Sequence, residues 1–543
     1  MADIRLGPWG GVNLALHEKL LGANEAVASL NHNPSRGDLR PWKVPLNAAT
    51  VSTSARKTIY MLGRDAVTDS IYWLQWTPVV HAVRVFRSED TTKRTYYTGD
   101  GAPKVTDNVI GLASAPYPTA YRDLGIPKPL TNPTVTVDVD GTGDDETRFY
   151  AYTYVSDWDE EGPPAVSAAV TCKPGATLDI TTLAMPPSGP GENRGINRMR
   201  IYRTVAGDTG AEFFFLREIT AATSTEDDAR AVGSDTLPST LYAMPPTDLK
   251  YLTGLWNGMM AGISGNAVRY CEPFKPHAWP AAYETLCLDT PIALAVFKKN
   301  LLILTTGRPR LVYGSSPEAM DDTPVEFLAA CIAPQSVVAF GHGACWATSD
   351  GLAYVGENGA PRLLTAGCMS KEAWQALNPA TIVATQFDGL YLASYDSGGG
   401  VLKGFTFDPL APDAGIRFLS SGFTAAHFDP LSEDTYILSG TNIQRWDAGS
   451  TNMTVTWKSK PYRMPAPVNL AVARVIADAF PVTLKLDASV RGATRPTWTK
   501  NVANGEPFTL PGGYLADYYQ FEVSAATPVT GIVIAETLEE LNR

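Results

Sequence analysis

A stretch of about 45 residues repeats through the second half of the chain, and this repeat constrains the fold more than any single residue does. Successive units begin at Leu249, Pro291, Pro334, Pro379 and Ser421, so their starts lie 42, 43, 45 and 42 residues apart. Each unit opens with a short apolar strand, passes through polar or glycine residues, and continues with a second strand rich in branched and aromatic residues. A period of about 40–50 residues with several strands per unit is typical of β-propeller blades. The repeat therefore predicts a scaffold of stacked sheets.

The composition agrees with a fold made almost entirely of β-strands. The chain has 46 glycines and 41 prolines, which favour many turns and short strands over long helices. Only two stretches have a helical pattern, residues 14–30 and residues 370–377. We therefore predict an all-β protein, a β-propeller of about six blades with an inserted immunoglobulin- or fibronectin-like β-sandwich and a small C-terminal β module.

Turn signals and prolines divide the chain into five parts. For residues 1–50 we predict an N-terminal arm with one short helix. We expect this arm to run over other elements and not to form a core. Residues 51–125 predict a first blade from the strand-like runs TIYML, SIYWLQW, HAVRVFRS and RTYYTG. Residues 126–245 begin and end with prolines and predict the inserted sandwich. Residues 246–450 hold the remaining blades, and residues 451–543 predict a separate β module.

The formal net charge of −12 argues against a surface that grips nucleic acid. Phosphate binding relies on clustered lysine and arginine, and the largest such cluster here is Lys93 with Arg94. An acidic wall past which DNA slides without sticking is compatible with this charge. No apolar run approaches the roughly 20 residues of a membrane-spanning helix, and the N-terminus lacks the apolar core of a signal peptide.

The six cysteines do not form a metal or disulfide pattern. Structural zinc sites use close pairs of ligands, whereas these cysteines are spread over about two hundred residues without a CxxC pair. We expect buried free thiols in a reducing compartment. The six are Cys172, Cys271, Cys287, Cys331, Cys345 and Cys368.

Two acidic clusters are candidate binding or catalytic sites. The first consists of Asp138, Asp140, Asp144, Asp145 and Glu146 in a glycine-rich stretch, where oxygen ligands could hold Ca²⁺. Its spacing does not fit an EF-hand, so a solvated hairpin turn is the favoured interpretation.

The second cluster, SDWDEEGPP, contains Asp157, Asp159, Glu160 and Glu161. Two nearby carboxylates could act as acid and base in glycoside hydrolysis. Neighbouring residues of an extended chain point opposite ways and GPP marks a turn, so a surface loop is favoured.

No other pattern predicts chemistry. The histidines are isolated and form no HExxH or similar pair, Ser315 and Ser316 lack a nucleophile elbow, and Gly398–Gly400 are expected to form a plain turn. The sequence therefore predicts no catalytic, cofactor-binding or metal-binding residue, and no cofactor. The histidines are His17, His32, His81, His277, His342 and His427.

Several stretches resemble the nozzle, or tail tubular protein B, of short-tailed bacteriophages. The opening GPWGGVNLALHEKLLGANEAVASLNHNP is similar to the family's start, and RTYYTGDGAPKVT with RFYAYTYVSDWDEEGPPA resembles its first blade and immunoglobulin-like insertion. INRMRIYRTVAGDTGAEFFFLREI matches the same insertion, ILTTGRPRLVYGSSPEAM and ATSDGLAYVGENGAPRLLT fit blade elements, and TWKSKPYRMPAPVNLAVARV resembles the terminal module. The resemblance covers most of the chain, through loose motifs in a shared order.

The resemblance implies a structural protein of the virion tail, made in the cytoplasm of a bacterial host. Such a protein forms a ring, usually of six copies, below the tail adaptor or portal, and contacts tail fibres or tailspikes. The ring continues the channel that conducts and retains the genome, so DNA passes through it transiently and independently of sequence. The family has no catalytic residues, and we expect that this chain is not an enzyme.

Two other classes stay open at this point. One is a receptor- or glycan-binding propeller of the tail, which glycan binding by an isolated monomer would reveal. The other is a propeller glycosidase, which needs two carboxylates converging at the propeller axis.

Overall fold

The computed structural model describes residues 3–64, 71–86, 90–187, 192–205, 212–326 and 330–542. The chain divides into two units, each with its own internal contacts. The first unit comprises Met1–Met61, Leu304–Arg310 and Pro324–Arg543. The second unit comprises Leu62–Ile303 and Leu311–Thr323.

Successive sets of four antiparallel strands form the blades of a β-propeller, and in each set three or four consecutive strands are connected as a meander. Within the described residues there are six such sets, which we number blades 1–6 in chain order. Units starting at Leu249, Pro291, Pro334, Pro379 and Ser421 coincide with blades 2 to 6, so the prediction from the 45-residue repeat is confirmed.

Blades 1 and 2 lie in the second unit, as do most residues of blade 3. The strands of blade 1 are His81–Arg84, Thr95–Thr98, Lys104–Thr106 and Arg122–Asp123. Those of blade 2 are Lys250–Gly254, Met260–Ser264, Ala267–Tyr270 and Glu284–Leu286. Those of blade 3 are Pro291–Phe297, Asn300–Thr305, Arg310–Tyr313 and Asp321–Pro324.

Blades 4, 5 and 6 lie in the first unit. The strands of blade 4 are Val338–Phe340, Gly343–Ala347, Leu352–Gly356 and Pro361–Leu363. Those of blade 5 are Val383–Phe387, Leu390–Asp396, Leu402–Phe407 and Arg417–Leu419. Those of blade 6 are Ala425–Asp429, Asp434–Ser439 and Asn442–Arg445, completed by Leu46–Thr50 from the N-terminal arm.

The composition of blade 1 corrects the strand prediction for residues 51–125. TIYML and SIYWLQW lie in Thr58–Arg64 and Ile71–Trp76, which pair as a separate two-stranded sheet. The blade instead continues past Thr98 through the glycine-rich turn GDGAP, in which Gly99 and Gly101 have positive φ values of 105° and 79°. Such Asp-Gly turns join adjacent antiparallel strands, and this one extends the blade towards Asp123.

The inserted sandwich lies within the second unit and packs two larger sheets against one core. The first sheet contains Thr134–Val139, Thr177–Thr181 and Thr225–Asp227, and a short pair consists of Glu146–Arg148 and Val170–Cys172. The other sheet contains Ala165–Val166, Tyr150–Ser156, Ile196–Thr204 and Phe213–Thr220. Side chains of both sheets meet in the core, including Tyr152, Ile201, Leu178 and Ile180.

The C-terminal module is connected to blade 5 through the arm. Strand Ala26–Leu30 lies between Arg417–Leu419 of blade 5 and Val455–Ser459 of the module, so one hydrogen-bonded sheet joins all three. In Val482–Val490 buried residues alternate with partly exposed ones, as expected for a strand with one face in a core. The remaining module strands are Tyr462–Val468, Val472–Ala477, Ala493–Thr494, Trp498–Val502, Phe508–Thr509, Ala516–Ala525 and Val529–Ala535.

The N-terminal arm contradicts two predictions. The helix expected over residues 14–30 is absent: that segment has one 3₁₀ turn, Glu18–Leu20, followed by strand Ala26–Leu30. The arm also contributes to the core, because Trp9 and Leu39 are buried and strand Asp3–Leu6 pairs with Val529–Ala535. Partners far along the chain therefore override the helical pattern. Two further arm strands are His32–Asn33 and Arg40–Pro41.

Helical structure is otherwise scarce in the described residues. The α-helix Lys371–Gln375 begins after Ser370, whose hydroxyl accepts the Ala373 N–H, which confirms the helix predicted at residues 370–377. The other helical turns are 3₁₀, at Pro317–Ala319, Pro334–Ser336, Leu364–Gly367, Pro379–Thr381, Pro412–Ala414 and Glu540–Asn542. None of the described helices is long and apolar enough to cross a bilayer.

Candidate functional site

Turns of blades 5 and 6 and part of the arm surround a cavity of about 910 Å³ in the first unit, which we call the acidic cavity. Its volume lies within the usual range for ligand-binding clefts. The first turn of blade 5 follows strand Val383–Phe387, and the first turn of blade 6 follows strand Ala425–Asp429. Both of these turns line the cavity. It is lined by Asn33, Pro34, Ser35, Trp42, Gln386, Phe387, Asp388, Gly389, Leu390, Asp408, Phe428, Pro430, Glu433, Asp434 and Asp447.

A tight hairpin turn places Asp388 at the rim of the cavity. Asp388 and Gly389 connect strands Val383–Phe387 and Leu390–Asp396, and both have positive φ, 48° and 76°. This conformation is the two-residue turn that Asp-Gly favours, because glycine adopts positive φ without a steric penalty. Glu433 occupies the corresponding turn of blade 6, also at positive φ.

Three of the five lining carboxylates already have partners. Asp408 accepts the Leu410 N–H at 2.9 Å, and Asp447 accepts the Lys43 N–H at 2.6 Å. Asp434 forms an ion pair with Arg445 at 3.3 Å. Burial raises the pKa of Asp447 above its usual value, because a charged carboxylate is poorly solvated there.

Aromatic side chains form the inner part of the cavity lining. Trp42 is buried and its ring lies edge-on to Phe387, with ring centroids 5.6 Å apart. Trp42 also belongs to an apolar cluster with Leu392 and Trp446. The cavity therefore combines an acidic rim with an aromatic interior.

The chemistry of the cavity suits a positively charged ligand better than a metal ion. None of its lining residues is lysine, arginine or histidine. Across the described residues, no group of three or more histidine, cysteine or acidic side chains is arranged to hold a metal. An organic cation can instead pair with separate carboxylates and place its apolar part against aromatic rings.

None of the five carboxylates of the cavity is among the candidates predicted from the sequence, yet a local signal marks four positions in this region. An aromatic residue followed by aspartate recurs near strand ends, at Phe387-Asp388, Phe407-Asp408, Phe428-Asp429 and Trp446-Asp447. In each pair the aromatic ring can pack inward, while the aspartate can stabilise the following turn. The recurrence could have identified this edge of blades 5 and 6.

The first acidic cluster, for which a solvated hairpin turn was favoured over a Ca²⁺ site, forms an exposed connection between two sheets and not a hairpin. Asp138 is the penultimate residue of strand Thr134–Val139, and Glu146 begins strand Glu146–Arg148. These two strands belong to different sheets. Asp140 accepts backbone N–H groups of Gly141 and Lys173 at 2.9 and 3.0 Å, while Glu146 pairs with Arg148. These oxygens are thus used in local structure, and the hairpin prediction is wrong because each strand finds a partner in another part of the sandwich.

The prediction of a surface loop for the second acidic cluster is confirmed for Asp157 and Asp159, which are exposed, and wrong for the two glutamates. Glu160 and Glu161 are buried, and Glu161 accepts hydrogen bonds from Tyr202 Oη at 2.7 Å and Thr153 Oγ1 at 2.8 Å. Arg200 pairs with the second oxygen of Glu161 at 3.0 Å. Arginines on the neighbouring strand compensate the buried charge, which the sequence pattern alone does not show.

The same cluster connects the sandwich to blade 1 within the second unit. Arg122 of blade 1 binds both carboxylate oxygens of Asp157. The guanidinium groups of Arg94 and Arg122 lie 4.5 and 4.1 Å from the ring centroid of Trp158. We call Arg94, Arg122, Asp157 and Trp158 the sandwich joint. It is a structural contact, and it offers no pair of free carboxylates for hydrolysis.

The remaining candidates have structural environments. All six cysteines are buried free thiols, as predicted. Gly398 and Gly400 lie in a turn where both N–H groups donate to Asp396, which confirms the plain-turn prediction. The Nδ1 atom of His342 lies 2.9 Å from Tyr354 Oη, and the ring of His81 packs against Tyr251.

Comparison with known proteins gives distant likenesses only. No known family profile matches the chain, and no curated protein matches it. Among solved structures, BamB from Moraxella catarrhalis is 13% identical over 51% of this chain and 86% of its own, with a TM-score of 0.23. Apo AztD from Citrobacter koseri is 11% identical over 71% of this chain and 100% of its own, with a TM-score of 0.25.

A third likeness is to PorZ, an essential bacterial surface component of the type-IX secretion system of Porphyromonas gingivalis. It is 10% identical over 69% of this chain and 43% of its own, with a TM-score of 0.22. Similarity at these levels does not bear on function.

Proposed function

We propose that this chain is a non-enzymatic structural protein of a phage virion, forming the ring-shaped tail nozzle that continues the DNA channel below the tail adaptor or portal. The observation that carries the proposal is the order of parts along the chain. An arm, a blade, an inserted sandwich, further blades and a terminal β module follow one another as in the family that the sequence resembles.

Two further features support a wall rather than a catalyst. The net charge of −12 would let DNA pass without strong adhesion, because like charges repel at short range. The sandwich joint and the shared sheet of blade 5, arm and module give each unit extensive internal connections. Rigid subunits suit a channel whose internal diameter must stay constant.

Negative-stain electron microscopy of the purified protein at increasing concentration tests the proposal. Rings of sixfold symmetry with an axial hole wide enough for a DNA duplex are expected. Because assembly can require a template, the same measurement is repeated in the presence of a candidate tail adaptor protein from the same phage. Single propellers under both conditions would contradict the nozzle.

A glycan-binding propeller of the tail is the second candidate, and the acidic cavity is the observation that favours it. Carboxylates and aromatic rings are both groups that recognise sugars, and Phe387 and Phe428 line the cavity beside Asp388. Binding of the isolated monomer to a glycan array, lost in an Asp388→Asn variant, would support this candidate over the nozzle.

The absence of enzymatic activity stays a prediction, which a reducing-sugar assay on host polysaccharide tests.

A further inference from the structure

Three asparagines of the chain are followed directly by glycine, and their side-chain amides share one local geometry. They are Asn257, Asn358 and Asn504. In each case the amide oxygen Oδ1 accepts the main-chain N–H of the residue two positions later, at 3.4, 3.1 and 3.1 Å respectively. Such a donor polarises the amide and can stabilise negative charge that develops on Oδ1 when a nucleophile attacks the carbon Cγ. All three amides are therefore activated in the same way.

The main-chain nitrogen of the following glycine is the nucleophile that can close a five-membered ring on Cγ, and it distinguishes two of the sites. The Gly359 N–H donates to the Gly356 carbonyl at 3.0 Å, so this nitrogen is held in a turn. The Gly505 N–H has no acceptor within the described residues. A nitrogen that donates a hydrogen bond must first release it, so Gly505 is better placed to attack than Gly359.

The Asn257 site is restrained in another way. Its side-chain nitrogen Nδ2, which is the leaving group, donates to the Ser315 carbonyl at 3.3 Å. Gly258 is buried against the ring of Phe274. Asn504, by contrast, is exposed in the connection that follows strand Trp498–Val502. The geometry thus ranks Asn504 as the most reactive of the three.

We propose that Asn504 is a site of spontaneous deamidation in the folded protein. The Gly505 nitrogen forms a bond to Asn504 Cγ, the bond from Cγ to Nδ2 breaks, and the Gly505 proton leaves with Nδ2 as ammonia. Water then opens the resulting five-membered imide at one of its two carbonyl carbons. Opening at Cγ gives aspartate, and opening at the main-chain carbonyl gives isoaspartate, in which the chain runs through Cβ.

The modified protein is expected to stay folded, because Asn504 and Gly505 lie between strands. Arg474 Nε donates to the Gly505 carbonyl at 3.1 Å. Either product adds one negative charge, and isoaspartate also shifts the Gly505 carbonyl relative to Arg474, since it adds an atom to the main chain. This inference goes beyond the nozzle proposal, because it concerns the single chain and does not depend on ring formation.

Peptide mapping by mass spectrometry, after incubation of the native protein at mildly alkaline pH, tests the inference. An isoaspartate-specific methyltransferase identifies the rearranged product. Asn504 should deamidate about fivefold faster than Asn358, the factor that one typical hydrogen bond represents, and Asn257 should be the slowest of the three. In protein unfolded by urea the three rates should become similar, because each site then is an unrestrained Asn-Gly pair.

Gly505→Ala is the matched variant. A β-carbon at this position would lie 3.8 Å from the Phe480 ring and from the Val475 carbonyl, which is ordinary contact, so the fold should be kept. The methyl group hinders attack by the neighbouring nitrogen and restricts the main chain, so deamidation at Asn504 should slow several-fold. Asn358 should react at its wild-type rate in the same sample.

Two outcomes would overturn the inference. One is a rate at Asn504 in the native protein that is equal to or lower than the rate at Asn358, which would show that the folded module protects the site. The other is a rate ratio that persists unchanged in urea, which would place the difference in the neighbouring sequence and not in the fold.

Discussion

The guanidinium group of Arg122 binds both carboxylate oxygens of Asp157 and stacks on the ring of Trp158. Arg122 begins the last strand of blade 1 and its side chain is largely buried, whereas Asp157 belongs to the acidic stretch of the inserted sandwich. A bidentate ion pair fixes the relative orientation of the two side chains as well as their distance, because the planar guanidinium must face the carboxylate. Together with the stack on Trp158, this pair sets the orientation of the sandwich on blade 1.

We expect Arg122→Met to loosen the sandwich joint without unfolding the chain. Methionine keeps much of the side-chain length but loses the ion pair and the cationic stack, at a cost of about 1–2 kcal/mol because Asp157 is partly exposed. Amide hydrogen exchange in residues 156–161 should become about 5- to 30-fold faster.

The control for this variant is Arg495→Met. Arg495 also stacks on an aromatic ring, that of Tyr514 in the C-terminal module, at 4.4 Å. This change should leave exchange in residues 156–161 as it is in the wild type. Unchanged exchange in the Arg122 variant as well would show that the joint does not orient the sandwich.

The arm should be a major source of stability for the first unit. Trp9 is 3% exposed and packs edge-to-face on Trp457 at 4.8 Å, and Trp457 donates its indole N–H to Gly10. Trp9→Ala should cost about 3–5 kcal/mol, the usual cost of deleting a buried aromatic side chain. Differential scanning calorimetry should show a lowered transition for this variant.

Leu20→Ala provides the matched control in the same arm. Leu20 is 71% exposed, so its truncation should change the unfolding free energy by less than about 0.5 kcal/mol. If both variants melt like the wild type, the arm is not part of the core in solution.

Local patterns in the sequence predicted much of this fold, and distant pairings account for what they missed. The blades that start near Pro291 and Pro334 were predictable because their strands pair with immediate neighbours, separated by short turns. Strand Ala26–Leu30 was missed because its partners, Arg417–Leu419 and Val455–Ser459, lie hundreds of residues away. A helical pattern in an isolated segment carries no information about such partners.

The candidate site was less predictable than the fold for the same reason. Asp388, Glu433 and Asp447 meet at one cavity only because two blades present the same edge to it. Glu161 was interpreted as a surface residue because its compensating partners, Tyr202 and Arg200, come from a strand about forty residues later. Charge clusters are visible in a sequence, but their neutralisation depends on tertiary pairing.

The six cysteine thiols should not react with thiol reagents in the native protein. Burial raises the pKa of Cys271 and Cys331 to about 12 and that of Cys368 to about 11, which suppresses the reactive thiolate. Titration with Ellman's reagent at mildly alkaline pH should detect no thiol before unfolding and all six afterwards. An Asp144→Cys variant, with its new thiol on an exposed loop, should react at once and serves as the control. Rapid reaction of the wild-type protein would contradict the burial of these side chains.

Acid should destabilise the first unit through His32. Burial, with the positive charge of Arg417, lowers the pKa of His32 from 6.5 to about 3. Below pH 6.5 the unfolded chain therefore takes up a proton that the folded chain refuses, so stability falls as the pH falls towards 3. The loss approaches about 1.4 kcal/mol for each pH unit within this window, and above it His32 contributes no pH dependence.

A His32→Gln variant should reduce this acid sensitivity, even if it is less stable at neutral pH. His32 lies between Ser29 Oγ at 3.3 Å and the Asp38 carbonyl at 3.2 Å, and a glutamine can still donate to one of them. The diagnostic quantity is the slope of unfolding free energy against pH, which does not depend on the absolute stability of the variant. Leu20→Ala, which changes an exposed residue of the same arm and removes no titratable group, should keep the wild-type slope. Equal slopes in the wild type and the His32 variant would contradict this prediction. They would mean that His32 takes up a proton as readily in the folded protein as in the unfolded chain.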